Sequence, residues 1–347
     1  YIGTVAVMDR VRETSRRAIS EFKHMGIDVV MLTGDNKVTA EAVKEAVGAD
    51  RVVAEVMPKD KEAEIQRLKN EGKNEYVKLD PRINLTSDLG YAIGASDIII
   101  ISISSQGLRG FMKRVTEFSV KDKTFVLCMK GLEQDTGKRL SEIMRESGIE
   151  SDKIAVWVGP GHIQAFTQGK PNCMVIDSEN KDLVKTLCDG LRSDLIRFYY
   201  GDDLIGSEVG AAAKNVIGIA AGMLDGGGFT TLKGPLMARG AREVARLIKA
   251  MGGNELSAYG LCHLGDYETT LFSEYSNNRK FGEMFVKKEK FEKLAEGAST
   301  VKALRLLGEK YGVDMPITNA VYDILYRNKE PMEAFLNVFS RSTRKEF

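Results

Sequence analysis

The sequence predicts an α/β domain built on a parallel sheet, followed by an all-helical domain, and three observations carry that reading. Short apolar runs alternate with 3.6-period segments from residue 1 to about 73. Apolar runs of strand length then continue to about residue 178. Beyond about residue 190 the strand signal fades and Ala-rich and Leu-rich helical periods dominate.

In order, Tyr1–Met8 reads as a strand, Thr14–Met25 as a helix stopped at Gly26, and Ile27–Leu32 as a second strand. Asn36–Val47 is a helix ended by Gly48, Arg51–Val56 a short strand, and Pro58–Lys69 a helix with Pro near its first turn. The string Glu71-Gly72-Lys73-Asn74 breaks the pattern. Strands follow at Ile98–Ser102, Phe125–Met129 and Ile154–Val158, separated by helical stretches. These signals divide the chain into residues 1–72, 73–190 and 191–347.

Lys and Arg number 50 against 49 Asp and Glu, so the formal charge is +1, which argues against a nucleic-acid or anionic-membrane binder that works by bulk electrostatics. A small molecule is the expected partner. Cys128, Cys173, Cys188 and Cys262 lie far apart with no CxxC pair, so neither a zinc clip nor a disulfide framework is expected, and a reducing, cytoplasmic compartment fits. His24, His162 and His263 are too scattered to suggest a metal. The longest apolar run, Ile98–Ile103, is far below the roughly 20 residues of a membrane helix, and no signal peptide opens the chain, so a soluble protein is expected. Residue 1 is Tyr, as in a sequence that starts inside a longer reading frame.

The stretch Gly210–Gly222 places Lys214 in the middle of an otherwise apolar helix. A buried ammonium group tends toward a lowered pKa, which suits acid/base work near neutral pH; a snorkelling lysine is the bland alternative. The surrounding motifs favour the first. Gly265–Thr270 and Ser276–Gly282 are polar and glycine-punctuated in ways that core packing does not require. Lys130, in Met129-Lys130-Gly131-Leu132-Glu133, directly follows an expected strand, where open α/β sheets bind ligands, and Gly159-Pro160-Gly161 follows the next.

Together these residues resemble the NAD(P)-dependent glycerol-3-phosphate dehydrogenases of the soluble bacterial type, from about Tyr76 to about residue 330. The likeness includes Ser104-Ser105-Gln106, Lys130–Glu133, Gly159-Pro160, Asp203–Gly206 followed by Lys214-Asn215, Gly265-Asp266, Asn278-Arg279, Phe281-Gly282 and Glu296-Gly297. It implies a Rossmann-like domain, a helical substrate domain, NAD or NADP as cofactor, and dihydroxyacetone phosphate and glycerol 3-phosphate as substrate and product. A homodimer is compatible with it. The resemblance makes Lys214 the proton donor and acceptor, Lys130 the lysine that touches substrate and nicotinamide, and Asp266 the residue that orients Lys214. It puts Gly159, Gly161, Asn215, Asp266, Thr270, Ser276, Asn277 and Asn278 at the substrate. Ser105, Gln106, Ile163, Arg279, Leu294 and Glu296 fall at the cofactor. The family usually has Ser-Arg-Asn-Arg where this chain has Ser276-Asn277-Asn278-Arg279, so Arg279 is the expected substitute for the missing arginine.

No Gly-x-Gly-x-x-Gly follows a strand in the first 75 residues. Instead Asp9-Arg10-Val11-Arg12, Thr33-Gly34-Asp35-Asn36 and Pro58-Lys59-Asp60-Lys61 resemble part of the phosphorylation domain of a P-type cation-transporting ATPase, over about residues 1–72. That family's Asp-Lys-Thr-Gly-Thr and Gly-Asp-Gly-x-Asn-Asp motifs are absent, so aspartyl-phosphate chemistry is not expected, and Thr33–Asn36 also reads simply as a strand-to-helix turn. A structural stand-in for half a Rossmann sheet, a natural fusion and an artificial chimera joined near residues 72–76 all stay open. A catalytically silent remnant is the alternative function, and a phosphatase or ATPase comes third.

Overall fold

A computed structural model describes residues 29–32, 37–54, 82–161 and 163–340, together with residues 16, 19, 20 and 23. The expected strand Tyr1–Met8, helix Pro58–Lys69 and turn Thr33–Asn36 lie outside these, as do Asp9–Arg12. The chain forms two compact units, residues 1–87 and 88–347.

In the first unit, β1 (Val30–Leu32) pairs in parallel with β2 (Arg51–Val53), with Met31 opposite Val52, and α1 (Lys37–Val47) connects them. The helix stops where the sequence places its stop. Gly48 takes φ +78°, a left-handed backbone conformation that costs glycine little, and its N–H returns to the Lys44 carbonyl.

The second unit opens with α2 (Leu89–Gly94), β3 (Ile98–Ile101), α3 (Leu108–Val115), β4 (Thr124–Leu127), α4 (Leu140–Glu146) and β5 (Ile154–Val158). Next come α5 (Ile163–Thr167), β6 (Asn172–Asp177), α6 (Lys181–Leu191) and β7 (Ile196–Tyr200). The strands lie in the order β3-β4-β5-β6-β7.

Two features correct the sequence reading. Strand β6 runs antiparallel to β5, because the segment between them carries just a five-residue helix and does not cross back over the sheet. Strand β7 lies beyond residue 190 and is parallel to β6. Its sequence, Ile-Arg-Phe-Tyr-Tyr, is half exposed at the end of the sheet, so it lacks the continuous apolar run of a buried strand.

The rest is helical: α7 (Leu204–Gly226), α8 (Lys233–Ala250), α9 (Asn277–Lys287), α10 (Glu296–Tyr311), α11 (Pro316–Arg327) and α12 (Pro331–Phe339). Helix α7 organises this half. Twenty of its 23 residues are buried, so it is enclosed by protein on all sides, and most of them are apolar. Among the described residues it is the helix long and apolar enough to cross a membrane, by length and composition, and its burial inside the protein fits a core helix. Its small residues let neighbours approach closely. A Cβ on Gly222 would lie 1.8 Å from the Arg279 carbonyl oxygen, and one on Gly282 2.1 Å from that of Ile219, so α7 and α9 cross with their backbones almost touching.

Helix α7 also spans two cores. Leu204 and Ala211 pack with the sheet residues Phe125, Leu127 and Val156, whereas Val216 to Leu224 pack with α8, α10 and α11. A buried polar tie fixes the junction. Glu208 accepts from Arg139 Nη1 at 2.8 Å and from the Ser141 amide at 2.8 Å, where α4 begins. Lys214 is thereby held where the C-terminal ends of the strands meet the helical half.

Candidate active site

Lys214 sits at 6% exposure in α7, so burial strips most of the hydration from its ammonium group. Its Nζ lies 2.6 Å from Asp266 Oδ2 and donates to Thr270 Oγ1 at 2.8 Å. Lys130, just past β4, reaches the same Asp266 oxygen at 2.8 Å and the Gly159 carbonyl at 2.6 Å. One buried carboxylate therefore serves two ammonium groups. Thr269 Oγ1 donates to its other oxygen.

Burial, reinforced by the positive charge of Lys130, lowers the Lys214 pKa to about 7, while Asp266 opposes that shift. Burial alone would raise the Asp266 pKa. The two lysines outweigh it and hold the carboxyl below its ordinary value.

Short irregular turns present Asp266 and Thr270: a 3-10 turn at Leu264–Asp266 and a π turn at Glu268–Phe272. Ser276 then caps α9, accepting from the Arg279 amide at 3.3 Å. Asn278, in the first turn of α9, donates to Asn215 Oδ1 at 3.0 Å and accepts from the Gly297 amide at 2.9 Å. Asn215 in turn donates to the Lys130 carbonyl at 2.7 Å. A cleft of about 200 Å³ opens over these groups, and eight of the sequence-designated residues line it: Gly161, Lys214, Asn215, Asp266, Thr270, Ser276, Asn277 and Asn278. A larger cleft of about 490 Å³ between α10 and α11 lies away from this chemistry.

A second cluster forms beside Lys130. Glu296, at the start of α10, accepts from the Ser105 amide at 3.1 Å, and Gln106 donates to the Leu132 carbonyl at 2.8 Å. Ser105 Oγ and Glu296 Oε2 are buried without a hydrogen-bond partner, and burial raises the Glu296 pKa. They flank Gly131, where a Cβ would fall 2.3 Å from Ser105 Oγ and 3.2 Å from Glu296 Oε2.

Two designated residues, Arg279 and Leu294, stand apart. Arg279 turns away from the cleft: its Nη1 bonds Asp225 at 2.8 Å and Glu283 at 3.0 Å, and its Nε the Ser273 carbonyl. Lys233 shares the same Asp225 oxygen at 2.6 Å. An arginine spent on two carboxylates is poorly placed to replace the cation that Asn277 lacks. Leu294 lies exposed on the loop before α10, and Ile163 opens α5 with its side chain outside the described set. The sequence reading missed Thr269, Tyr275 and the pair Asp225–Lys233. Thr269 lies inside the motif Gly265–Thr270 and Tyr275 adjoins Ser276–Gly282, whereas Asp225 carries no local signal.

Comparison with known proteins identifies the whole. The family model described as NAD-dependent glycerol-3-phosphate dehydrogenase N-terminus matches residues 28–184, and its C-terminus counterpart matches 203–336. The N-terminal match runs straight through residues 72–76. A glycerol-3-phosphate dehydrogenase [NAD(P)+] of Chlorobium phaeobacteroides strain BS1 is 34% identical over 280 residues, 78% of this chain and 84% of that protein. One from Clostridium botulinum strain Alaska E43 is 34% identical over 80% of this chain and 87% of its own length. The fold matches a solved glycerol-3-phosphate dehydrogenase of Coxiella burnetii with a TM-score of 0.73 at 23% identity, covering 90% of this chain and 98% of that one. These matches cover most of both halves, and the chain belongs to the NAD-dependent glycerol-3-phosphate dehydrogenase family.

Proposed function

We propose that this chain interconverts dihydroxyacetone phosphate and glycerol 3-phosphate with NAD or NADP, and that Lys214 moves the proton. The observation that carries this is Lys214 itself, an amine lowered to about 7 and bonded to a carboxylate that it shares with a second lysine. Such an amine exchanges protons readily near neutral pH.

The dinucleotide, when bound, supplies or accepts a hydride. On reduction of the ketone, Lys214 would donate its proton to the oxygen on C2, giving the alcohol. Asp266 keeps Lys214 protonated against the pull of burial. Lys130 stabilises the developing negative charge electrostatically. The amide side chains of Asn277 and Asn278 and the N-terminus of α9 favour the phosphate.

Ser105, Gln106, Lys130 and Glu296 are proposed to hold the dinucleotide. The partnerless Ser105 Oγ and Glu296 Oε2 beside Gly131 fit a polar group that satisfies both, and they are two of three such orphaned atoms among the described residues. Four unpaired cysteines suit a reducing compartment such as the cytoplasm, and a homodimer belongs to the same proposal.

The alternative, a catalytically silent remnant, rests on the absence of a Gly-x-Gly-x-x-Gly string from residues 1–75. The ATPase-like reading of residues 1–72 rests on three short strings, while the dehydrogenase match already takes in residues 28–72. Calorimetric titration with NADH, NADPH and glycerol 3-phosphate separately, alongside NADH oxidation by dihydroxyacetone phosphate, decides the function. Dinucleotide-dependent turnover supports it; absence of both turnover and dinucleotide binding refutes it.

A further inference from the structure

Behind the cleft lies a buried pair that the proposed reaction does not use. His263 is fully buried, three residues before Asp266. Its Nδ1 is 2.8 Å from the Gly210 carbonyl oxygen and its Nε2 is 2.7 Å from Tyr267 Oη. These two bonds fix the tautomer. A carbonyl oxygen accepts, so Nδ1 carries the hydrogen, and the bare Nε2 accepts from the Tyr267 hydroxyl.

The placement links two halves of the site. Gly210 is one helical turn before Lys214, and its carbonyl is the i−4 position of the Lys214 amide in α7. A Cβ there would lie 3.1 Å from His263 Cβ and 3.2 Å from Cys262 Sγ, so this glycine lets the turn press against the helix. The Asp266 amide donates back to the His263 carbonyl at 3.0 Å. Tyr267, itself fully buried, stacks edge-on to the imidazole at a centroid distance of 4.8 Å and lies close to Gly240 of α8.

We propose that His263, backed by Tyr267, is a positioning residue for proton transfer: it pins the turn carrying Asp266 to the helix carrying Lys214 and so sets the contact of the carboxylate with both lysines. The proposal rests on the reading of Lys214 as the proton carrier. Burial lowers the His263 pKa to about 4, so the ring stays neutral at working pH and adds no third positive charge beside Lys214 and Lys130. The charged and titratable groups facing the pair are Lys214 from α7, Asp266 from the turn, and Glu243 of α8 and Tyr259 at the Tyr267 end; Lys130, from the segment after β4, faces Asp266.

The test uses His263→Leu, which fills the space without a polar atom, His263→Asn, whose amide nitrogen stands close to the Nδ1 position, and Tyr267→Phe. The first readout needs no turnover: competitive acetylation of the full chain across pH, with mass spectrometry of the Lys214 peptide, reports the Lys214 titration. In His263→Leu the loosened carboxylate supports Lys214 less, so its pKa falls by about one unit. Loss of alignment lowers kcat about tenfold with KM nearly unchanged, and the basic limb of kcat for ketone reduction moves to lower pH. His263→Asn restores most of both, and Tyr267→Phe shifts both in the same direction by a smaller amount. An unchanged Lys214 titration in His263→Leu and in Tyr267→Phe overturns the proposal, as does a His263→Asn enzyme no better than His263→Leu. Should His263→Leu fail to fold, Tyr267→Phe carries the decision: a lowered Lys214 titration supports the proposal and an unchanged one overturns it. Should the parent chain prove inactive, the functional reading falls while the acetylation arm still decides whether His263 positions Asp266.

Discussion

Replacing Asp266 with asparagine removes a negative charge that two ammonium groups share at 2.6 and 2.8 Å, while keeping the side chain's size. Lys214 already titrates near 7 because burial and Lys130 oppose its charge and Asp266 supports it. Taking away an opposite charge at contact distance lowers a pKa by about one to three units; at two units, the protonated share of Lys214 at pH 7 drops from about half to about one in a hundred. Ketone reduction draws on the protonated amine, so its rate at pH 7 falls about fiftyfold. The sign follows from the same shift. The basic limb of kcat moves to lower pH, and the variant recovers part of its rate on acidification toward pH 5, where the parent gains little. Steady-state oxidation of NADH by dihydroxyacetone phosphate from pH 5 to 9 measures this for both proteins. An Asp266→Asn enzyme with its basic limb unmoved and kcat within about threefold of the parent would falsify the idea that this carboxylate sustains Lys214 as an acid.

Lys214→Met is expected to cut ketone reduction by about a thousandfold or more while leaving the dinucleotide titration unchanged, since Ser105 and Glu296 are untouched; retained turnover would return Lys214 to the snorkelling role. Glu208→Gln removes the buried one of Arg139's two carboxylate partners, leaving the more exposed Glu142 at 3.4 Å, and should cost about 3 kcal/mol in urea unfolding, an effect absent if water reaches that pair. Gly222→Ala drives a methyl group into the Arg279 carbonyl, and a loss of about 1–3 kcal/mol or more is expected; an unchanged melting temperature would mean that α7 and α9 part freely.

Much of the architecture is local and was legible in the residues. Helix α1 spans Lys37–Val47 against an expected Asn36–Val47, because its apolar spacing and Gly48 are properties of adjacent residues. The strands at Ile98, Thr124 and Ile154 follow from continuous apolar runs; those at Thr124 and Ile154 are buried on both faces, whereas Ile98 and Ile100 stay exposed along one face of the first. Lys214 announced itself as a charge in an apolar helix, whereas the close approach at Gly222 and Gly282 became visible only in the fold.

What periodicity lacks is direction and partner. Whether β6 runs with or against β5 depends on how the intervening chain crosses the sheet, and apolar spacing is identical in either sense. Strand β7 hid because its half-exposed face has no apolar signature. The ion pairs were further out of reach. Lys130 meets Asp266 across 136 positions, and Ser105 meets Glu296 across 191. Arg279, next to the cleft in sequence, is drawn off by Asp225, 54 positions away, since a partly buried guanidinium is stabilised most by the carboxylates that the fold brings to it. The residues named the chemical groups; packing of distant segments assigned each charge its partner, because the energy of a buried charge is set by what surrounds it in space.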